Sequence, residues 1–178
     1  MAQAQLFPMA LNPKDIVYTP SFIADDMVTY FKPSGKILEP SKGDGVFLKY
    51  LPKSTEWCEI EQGVDFFANH NQYDWIVGNP PYSIFHEWLI HSFEIANDIV
   101  YLIPIHKCFT GNRTIKAIWE WGGIVEILYY GQGSWVGFNF GLAAGAVHFR
   151  KNYQGAMSFT VRTHLTQRAA DGGKRGEK

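Results

Sequence analysis

Residues 75–82 of this chain read Trp-Ile-Val-Gly-Asn-Pro-Pro-Tyr. The apolar run before Gly78 predicts a buried strand that ends at this glycine. Both prolines lack an N–H and fix φ at about −65°, and Asn79 is biased toward extended backbone because a proline follows it. The stiff turn therefore holds the Asn79 amide and the Pro80 carbonyl at the carboxyl end of a strand, where open α/β sheets bind ligands. Two fixed acceptors beside the Tyr82 ring suit a planar amino group that must be held and lose a proton.

A second informative segment is residues 37–47, which read Ile-Leu-Glu-Pro-Ser-Lys-Gly-Asp-Gly-Val-Phe. The pattern predicts a short strand ending at Glu39, a glycine-rich turn through Gly43 and Gly45, and then the start of a helix with free N–H groups. It matches neither the Gly-x-Gly-x-x-Gly pattern of dinucleotide sites nor the Gly-x-x-x-x-Gly-Lys pattern of nucleoside triphosphate sites. Glu39 fits a positively charged ligand better than a phosphate. A plain connection between a strand and a helix is the alternative interpretation of this turn.

In chain order, these segments resemble the motifs of amino-methyltransferases that use S-adenosylmethionine. Asn79-Pro80-Pro81-Tyr82 resembles motif IV, residues 37–47 resemble motif I, and Tyr18-Thr19-Pro20 with the amphipathic run after it resembles motif X. Over residues 16–150 the chain is similar to class I DNA adenine-N6 methyltransferases, above all to small phage or prophage versions. The motif order resembles the γ-type arrangement, in which a target-recognition domain follows the catalytic domain. Only 28 residues follow Arg150, so we expect no such domain and loose sequence specificity.

The resemblance implies a cofactor site for S-adenosylmethionine. In the family, the acid of motif I faces the methionine ammonium group, a role that falls here to Glu39. An acid near the end of the second strand typically accepts from ribose hydroxyls; Glu59 and Glu61 both qualify, and Glu59 is favoured. Asp65 and Phe66 resemble motif III, where the acid reaches the adenine amino group and the ring packs on adenine, although a core phenylalanine pair is the alternative. The expected cofactor-binding residues are Tyr18, Thr19, Glu39, Pro40, Ser41, Gly43, Gly45, Glu59, Asp65, Phe66 and Asn79.

The expected catalytic residues are Asn79, Pro80, Pro81 and Tyr82. The exocyclic amine of adenine is a weak nucleophile because its lone pair is delocalised, and hydrogen bonds to the Asn79 side-chain oxygen and the Pro80 carbonyl would pull its nitrogen toward tetrahedral geometry. A base inside a duplex must be flipped out to reach such a pocket. Tyr82 would stack on one face of the base, and Phe138, or next Trp135, on the other. The candidates for phosphate contacts are Lys107, Arg113, Lys116 and Lys42.

Other functions stay open at this point. DNA is the expected partner, but RNA adenine and a protein glutamine amide are alternative substrates, since Asn-Pro-Pro-Tyr also occurs in enzymes that methylate release factors. Those enzymes normally carry an N-terminal recognition domain and begin motif I with Asp. A non-catalytic protein that binds S-adenosylmethionine, or a phage antagonist, is the third alternative, against which the intact Asn79 and Tyr82 argue. A homodimer or a separate specificity partner would enlarge the footprint on DNA.

Composition indicates one globular domain. The chain has 178 residues, 46% of them hydrophobic, and a net charge of −1, which does not by itself indicate a nucleic-acid-binding protein. We expect a single catalytic domain at 1–165 and a disordered tail, rich in glycine and charge, at 166–178. No apolar run of membrane-spanning length and no secretory signal are visible, and the two cysteines lack metal-site spacing. These features predict a cytoplasmic protein without a membrane segment or a metal.

Periodicity predicts alternating helices and strands. The helices are expected at 21–31, 46–51, 85–96 and 112–121, and the strands at 36–39, 56–60, 74–77, 99–103, 124–129 and 142–149. This alternation predicts an α/β fold with a mostly parallel sheet and helices on both faces. The last two strands should be antiparallel, because the segment between them is too short for a crossover helix. The resemblance implies the Rossmann-like class I methyltransferase fold, with seven strands of which one is antiparallel.

Overall fold

The computed structural model of the protein describes residues 17–136, 138 and 141–162, without the side chain of Trp135. These residues form a seven-stranded sheet in the order β2-β1-β3-β4-β6-β5-β7. The strands are β1 Ile37–Glu39, β2 Glu56–Trp57, β3 Tyr73–Gly78, β4 Ala96–Pro104, β5 Gly122–Gln132, β6 Ala143–Lys151 and β7 Ser158–Val161. Only β6 in this sheet runs antiparallel to its neighbours, β4 and β5. The predicted mostly parallel sheet with one reversed strand is confirmed.

Three α-helices cover the two faces of the sheet: α1 Ser21–Phe31, α2 Phe85–Ile95 and α3 Asn112–Trp121. Alternate side chains of β4 point to opposite faces, as the period of two in a strand requires. Ile99 and Tyr101 pack with the buried residues of α2 and α3, whereas Val100 and Leu102 pack with those of α1. The helices on both faces thus follow from a central strand that is apolar on both sides.

The structure corrects two of the predicted elements beside the glycine turn. Residues 46–51 form only a single 3₁₀ turn, Phe47–Lys49, because Pro52 disfavours helical backbone at the residue before it and too few residues remain to repay helix nucleation. The expected helix start with free N–H groups is therefore wrong. The strand predicted at 56–60 ends at Trp57, because Glu59 turns back to pair with Val64.

The outer edge beyond β5 was not recognised from the sequence pattern. There β7 pairs parallel with β5, and its four side chains are exposed or half-exposed, so no alternation of apolar and polar residues marks it. The tail predicted at 166–178 lies outside the described residues. Within the described part of the chain, no helix has the length and apolar character needed to span a membrane.

Candidate active site

The two segments singled out in the sequence meet at the carboxyl ends of neighbouring strands. β1 and β3 pair in parallel, with Leu38 opposite Ile76. A Cβ atom at Gly78 would lie 3.1 Å from Cδ of Pro40, so glycine at this position allows the turn after β1 to rest against the end of β3. The Ser41 hydroxyl donates to the main-chain carbonyl of Asn79 at 2.9 Å. The glycine turn and the Asn-Pro-Pro-Tyr turn therefore form one site.

The Asn79 side chain is held by the segment that precedes α1. Its Nδ2 donates to the Val17 carbonyl at 2.9 Å and to Oγ1 of Thr19 at 3.1 Å. A carbonyl oxygen can only accept, so the amide must present its nitrogen to Val17. The other end, Oδ1, is buried and has no hydrogen-bond partner among the described residues. Leaving a buried acceptor unsatisfied costs about 1–3 kcal/mol, and a ligand donor at this atom would recover that energy.

A second buried acceptor lies at the end of β1. Glu39 is 1% exposed, and its Oε2 has no hydrogen-bond partner within the described chain. Burial is the main reason that the pKa of Glu39 is raised to about 9; the nearby Asp44 and Glu59 contribute to the rise, and Lys42 opposes it. The carboxyl group is therefore protonated at neutral pH when no cation faces it. A cationic ligand would reverse this balance, because an opposite charge nearby favours the ionised form.

The glycine turn is tied to the acid at the end of β2. Gly43 has a φ of 51°, in the left-handed region that glycine adopts without strain. Its N–H donates to Oε2 of Glu59 at 2.7 Å, and Oε1 of Glu59 accepts from the N–H of Glu61 at 3.2 Å. Of the two acids that the sequence left open, Glu59 contacts the turn, whereas Glu61 is exposed. Gly45 continues the turn with a φ of 76°.

The predicted motif III residues lie farther along the edge of the sheet. Asp65 caps the 3₁₀ turn Phe66–Ala68 by accepting from the N–H of Phe67 at 2.9 Å. Phe66 is 2% exposed and stacks on Trp88 with 4.3 Å between ring centroids. In this structure Phe66 is thus a core residue, in line with the alternative stated for it. Asp65 borders an open groove of about 940 Å³ beside β2, whose lining includes neither Glu39 nor Asn79.

Ile60 is an apolar residue of the site region that the sequence reasoning missed. It is 50% exposed, and it directly follows Glu59 at the end of the β2 segment. Its exposed apolar surface directly follows Glu59, the acid that binds the glycine turn. The signal was present in the sequence as an isoleucine between two acids, Glu59 and Glu61, but residues 56–60 were assigned to a strand.

The residues expected to contact the substrate are spread over three places. Tyr82 begins the 3₁₀ turn Tyr82–Ile84, is half-buried, and packs against the core on the α2 and α3 side. Phe138 is buried in the core on the α1 side, and the Trp135 side chain lies outside the description. Lys107 is partly buried, while the Arg113 side chain is 78% exposed and its Nη1 lies 3.6 Å from Oε1 of Glu87.

Of the remaining predicted site residues, some contact the site and others do not. Thr19 is buried and bonded to Asn79, but Tyr18 beside it is exposed. The Lys42 ammonium group donates to Oε1 of Gln62 at 3.0 Å and lies 4.1 Å from the centroid of the Trp57 ring. These two contacts already occupy it within the protein. Lys116 is exposed in an ion pair with Glu120. Among the described residues, no group of three or more potential metal ligands lies together.

Comparison with known proteins identifies the fold. No protein-family model and no curated protein sequence matches the chain. The methyltransferase subunit of a type I restriction-modification system from Streptococcus thermophilus has a similar structure, with a TM-score of 0.60 and 15% identity over 91% of this chain and 54% of that one. A putative class I S-adenosylmethionine-dependent methyltransferase from Listeria monocytogenes gives a TM-score of 0.62 and 12% identity over 95% of this chain and 72% of that one.

A putative RNA methyltransferase from Pyrococcus horikoshii gives a TM-score of 0.57 and 13% identity over 76% of this chain and 87% of that one. These likenesses establish the class I methyltransferase fold that the sequence resemblance implied. At such low identities they establish the fold alone. The chain spans about half the length of the restriction-modification subunit, 54% of it.

Proposed function

We propose that this protein transfers a methyl group from S-adenosylmethionine to the exocyclic N6 amine of adenine in DNA. The observation that carries the proposal is the Asn79 amide. Its nitrogen is occupied by Val17 and Thr19, and its oxygen is buried without a partner. An acceptor fixed in this way, at the carboxyl end of a strand in a class I methyltransferase fold, suits an amino group of the substrate.

The residues present fit the cofactor. The methionine part of S-adenosylmethionine carries an ammonium group, and the buried Glu39 carboxyl group lacks a partner for one. Ser41, Gly43 and Glu59 form a tied turn beside it, and the Glu59 carboxylate suits the ribose hydroxyl groups, which can donate to it. When bound, S-adenosylmethionine supplies a methyl group already activated on a sulfonium. Pro40, Gly45, Asp65 and Tyr18 complete the proposed binding residues, whereas Phe66, a core residue stacked on Trp88, is not among them.

The protein's own contribution to the reaction is to orient and stabilise the amino group. Hydrogen bonds to Oδ1 of Asn79 and to the Pro80 carbonyl direct the lone pair of the nitrogen and stabilise the positive charge that develops on it. Pro81 keeps the turn extended, with ψ at 122°, and so aims the Tyr82 ring at the base. Positioning, rather than acid–base chemistry, supplies the rate enhancement.

DNA is the substrate that the observations favour. The methionine-end segment, Val17 to Thr19, is bonded to the catalytic asparagine, which joins motif X to motif IV as in the DNA enzymes that the sequence resembles. One structure of similar fold is the methyltransferase subunit of a restriction-modification system. Phe138 and Trp135 remain the proposed aromatic partners on the second face of the base, and Lys107 and Arg113 the proposed phosphate contacts.

The test is transfer of labelled methyl groups from S-adenosylmethionine to DNA, RNA and protein, followed by nucleoside and amino-acid analysis. We expect label in N6-methyladenine of DNA, and transfer slower by about 10²–10³-fold with the Asn79→Ala variant. Lys151→Gln, a change at the opposite end of the sheet, is the matched control and should retain full transfer. Label in RNA or in glutamine alone would replace the DNA proposal, and no label in any substrate would refute methyl transfer.

A further inference from the structure

A small cleft lies directly beside the catalytic turn. Its volume is about 200 Å³, and it opens between the start of α2 and the segment that links β4 to α3. Its polar lining includes Tyr82, His86, Glu87, His106, Lys107 and Thr114. Because Tyr82 is a wall of the cleft, any group bound there lies next to the residue proposed to stack on the target base.

Lys107 supplies the positive charge in the lining of the cleft. Lys107 is partly buried, and among the described residues its ammonium group has no carboxylate partner. Glu87, the acid in the lining, is shared with Arg113 at 3.6 Å. Burial lowers the pKa of His106, and the charge of Lys107 lowers it further. A partly buried ammonium group without a counter-charge favours an anionic ligand.

The donors of the cleft are fixed by local structure. Nδ1 of His86 lies 3.0 Å from Oγ1 of Thr114, which orients the imidazole ring on α2. Thr110 bonds to the His106 carbonyl at 2.7 Å, and this bond closes the turn that presents Lys107. These bonds fix the His86 ring and the turn at Lys107 without a ligand. Because the Thr110 hydroxyl already donates to His106, the Lys107 ammonium group is the main donor left for a ligand.

We propose that this cleft binds a backbone phosphate of the substrate DNA, next to the flipped nucleotide, and that Lys107 is its main charged contact. The inference rests on the proposed function for the identity of the substrate. A phosphodiester suits the cleft in charge and in size, because it is a single anion with two free oxygens for several donors. Contact with the phosphate beside the target nucleotide would fix the sugar while Tyr82 holds the base, in the way that phosphate contacts set register.

The first measurement is the salt dependence of DNA binding. Fluorescence anisotropy of a labelled oligonucleotide duplex, titrated at several salt concentrations, gives the slope of log K against log salt. Losing one phosphate contact reduces this slope by about 0.9 for duplex DNA. We expect that loss for Lys107→Gln, an unchanged slope for Lys107→Arg, and an unchanged slope for the control Lys151→Gln.

The second measurement locates the phosphate. Single linkages around the target adenine are replaced by uncharged methylphosphonates, and binding is measured for wild type and for Lys107→Gln. We expect one adjacent linkage at which neutralisation weakens binding by wild type but has no added effect on the variant, since coupled changes are not additive. Additive losses at every linkage, or an unchanged slope in a folded Lys107→Gln protein, would overturn the inference. Competition by millimolar inorganic phosphate without any linkage effect would also overturn it, in favour of a free phosphate site.

These measurements separate the inference from the proposed function. If wild type methylates DNA but Lys107→Gln keeps its slope, the cleft is not a phosphate site while the function stands. If no DNA is methylated but oligonucleotide binding still depends on Lys107 and on one linkage, the phosphate site stands while the function fails. Circular dichroism of each variant shows whether the fold is intact.

Discussion

Binding of S-adenosylmethionine should release a proton from Glu39. The carboxyl group is 1% exposed, and its pKa is raised to about 9 by burial, then by Asp44 and Glu59, against the effect of Lys42. A pH of 7 is about two units below that pKa, so ionising the carboxyl group costs about 2.7 kcal/mol at 1.36 kcal/mol per unit. An ammonium group facing Glu39 must supply this energy, and the affinity should rise up to about tenfold per pH unit below pH 9.

The useful range is about pH 5.5–7.5, because the α-amino group of the ligand itself begins to lose its proton at about 7.7–8.0. Isothermal titration calorimetry in two buffers of different ionisation enthalpy counts the protons released. We expect close to one proton per site for wild type at pH 6.5. Glu39→Gln is the control, and its affinity for S-adenosylmethionine should be nearly independent of pH in this range. Because the wild-type affinity rises with pH, wild type should bind more tightly than the variant at the upper end of the range.

Wild-type binding that is independent of pH, with no proton release, would refute the placement of Glu39 opposite the ammonium group. The stability of the free protein provides an independent check. The folded-state pKa lies above the ordinary value of 4.5, so Glu39 lowers the free energy of unfolding progressively as the pH rises from about 4.5 toward 9. Glu39→Gln should remove this loss and raise the melting temperature of the free protein at pH 7.

Four other predictions concern catalysis, the fold and recognition. Asn79→Ala should lower kcat by about 10²–10³-fold, by analogy with the loss of one transition-state hydrogen bond, and leave calorimetric cofactor affinity nearly unchanged; full activity would contradict the mechanism. Tyr82→Ala should lose about 1–3 kcal/mol of base stacking, which would appear as a higher KM for DNA. Tyr82→Phe should raise the KM only slightly. Burial raises the pKa of Asp98, but hydrogen bonds from His148 and Arg150 outweigh it and lower the pKa below 3.8. The bonds of the Asp98 carboxylate to His148 and Arg150 therefore stabilise the fold above that pH, and this stabilisation is lost as the pH falls. Asp98→Asn should reduce the fall of the melting temperature at acidic pH. Methylation by this chain alone, mapped across a plasmid, should show loose or very short sequence specificity, and confinement to one long site would contradict it.

The elements that the sequence predicts best are those with strong local stop signals. Helix α1 begins after Pro20, and α3 ends at Trp121, directly before Gly122; both match their predicted bounds. The 46–51 segment failed because its apolar spacing suits a helix while Pro52 leaves room for only one turn. β7 could not be predicted from its own residues, since it exists by pairing with β5, more than 20 residues earlier in the chain.

In the candidate site, too, local motifs were predicted from the sequence and contacts between distant residues were not. Asn79 and Glu39 are recognisable in the sequence because a short motif contains both the residue and the turn that presents it. The hydrogen bond from Asn79 to Val17 joins residues 62 apart, and the cleft beside Tyr82 combines α2 with the end of β4. Contacts of that range follow from the order of the strands, which no local pattern encodes.

The anchoring of Asn79 also has a consequence for which nucleobase is accepted. Because the Val17 carbonyl and the Thr19 hydroxyl hold the amide nitrogen, the amide cannot rotate by half a turn without placing two acceptors against each other. The pocket therefore has a fixed polarity and offers only an acceptor. Adenine, whose ring carries an amino group, matches this polarity, whereas hypoxanthine places a carbonyl oxygen at the same position and is repelled. Under the proposed function, a main-chain oxygen 62 residues away in the chain would let the site discriminate an intact adenine from its deaminated form.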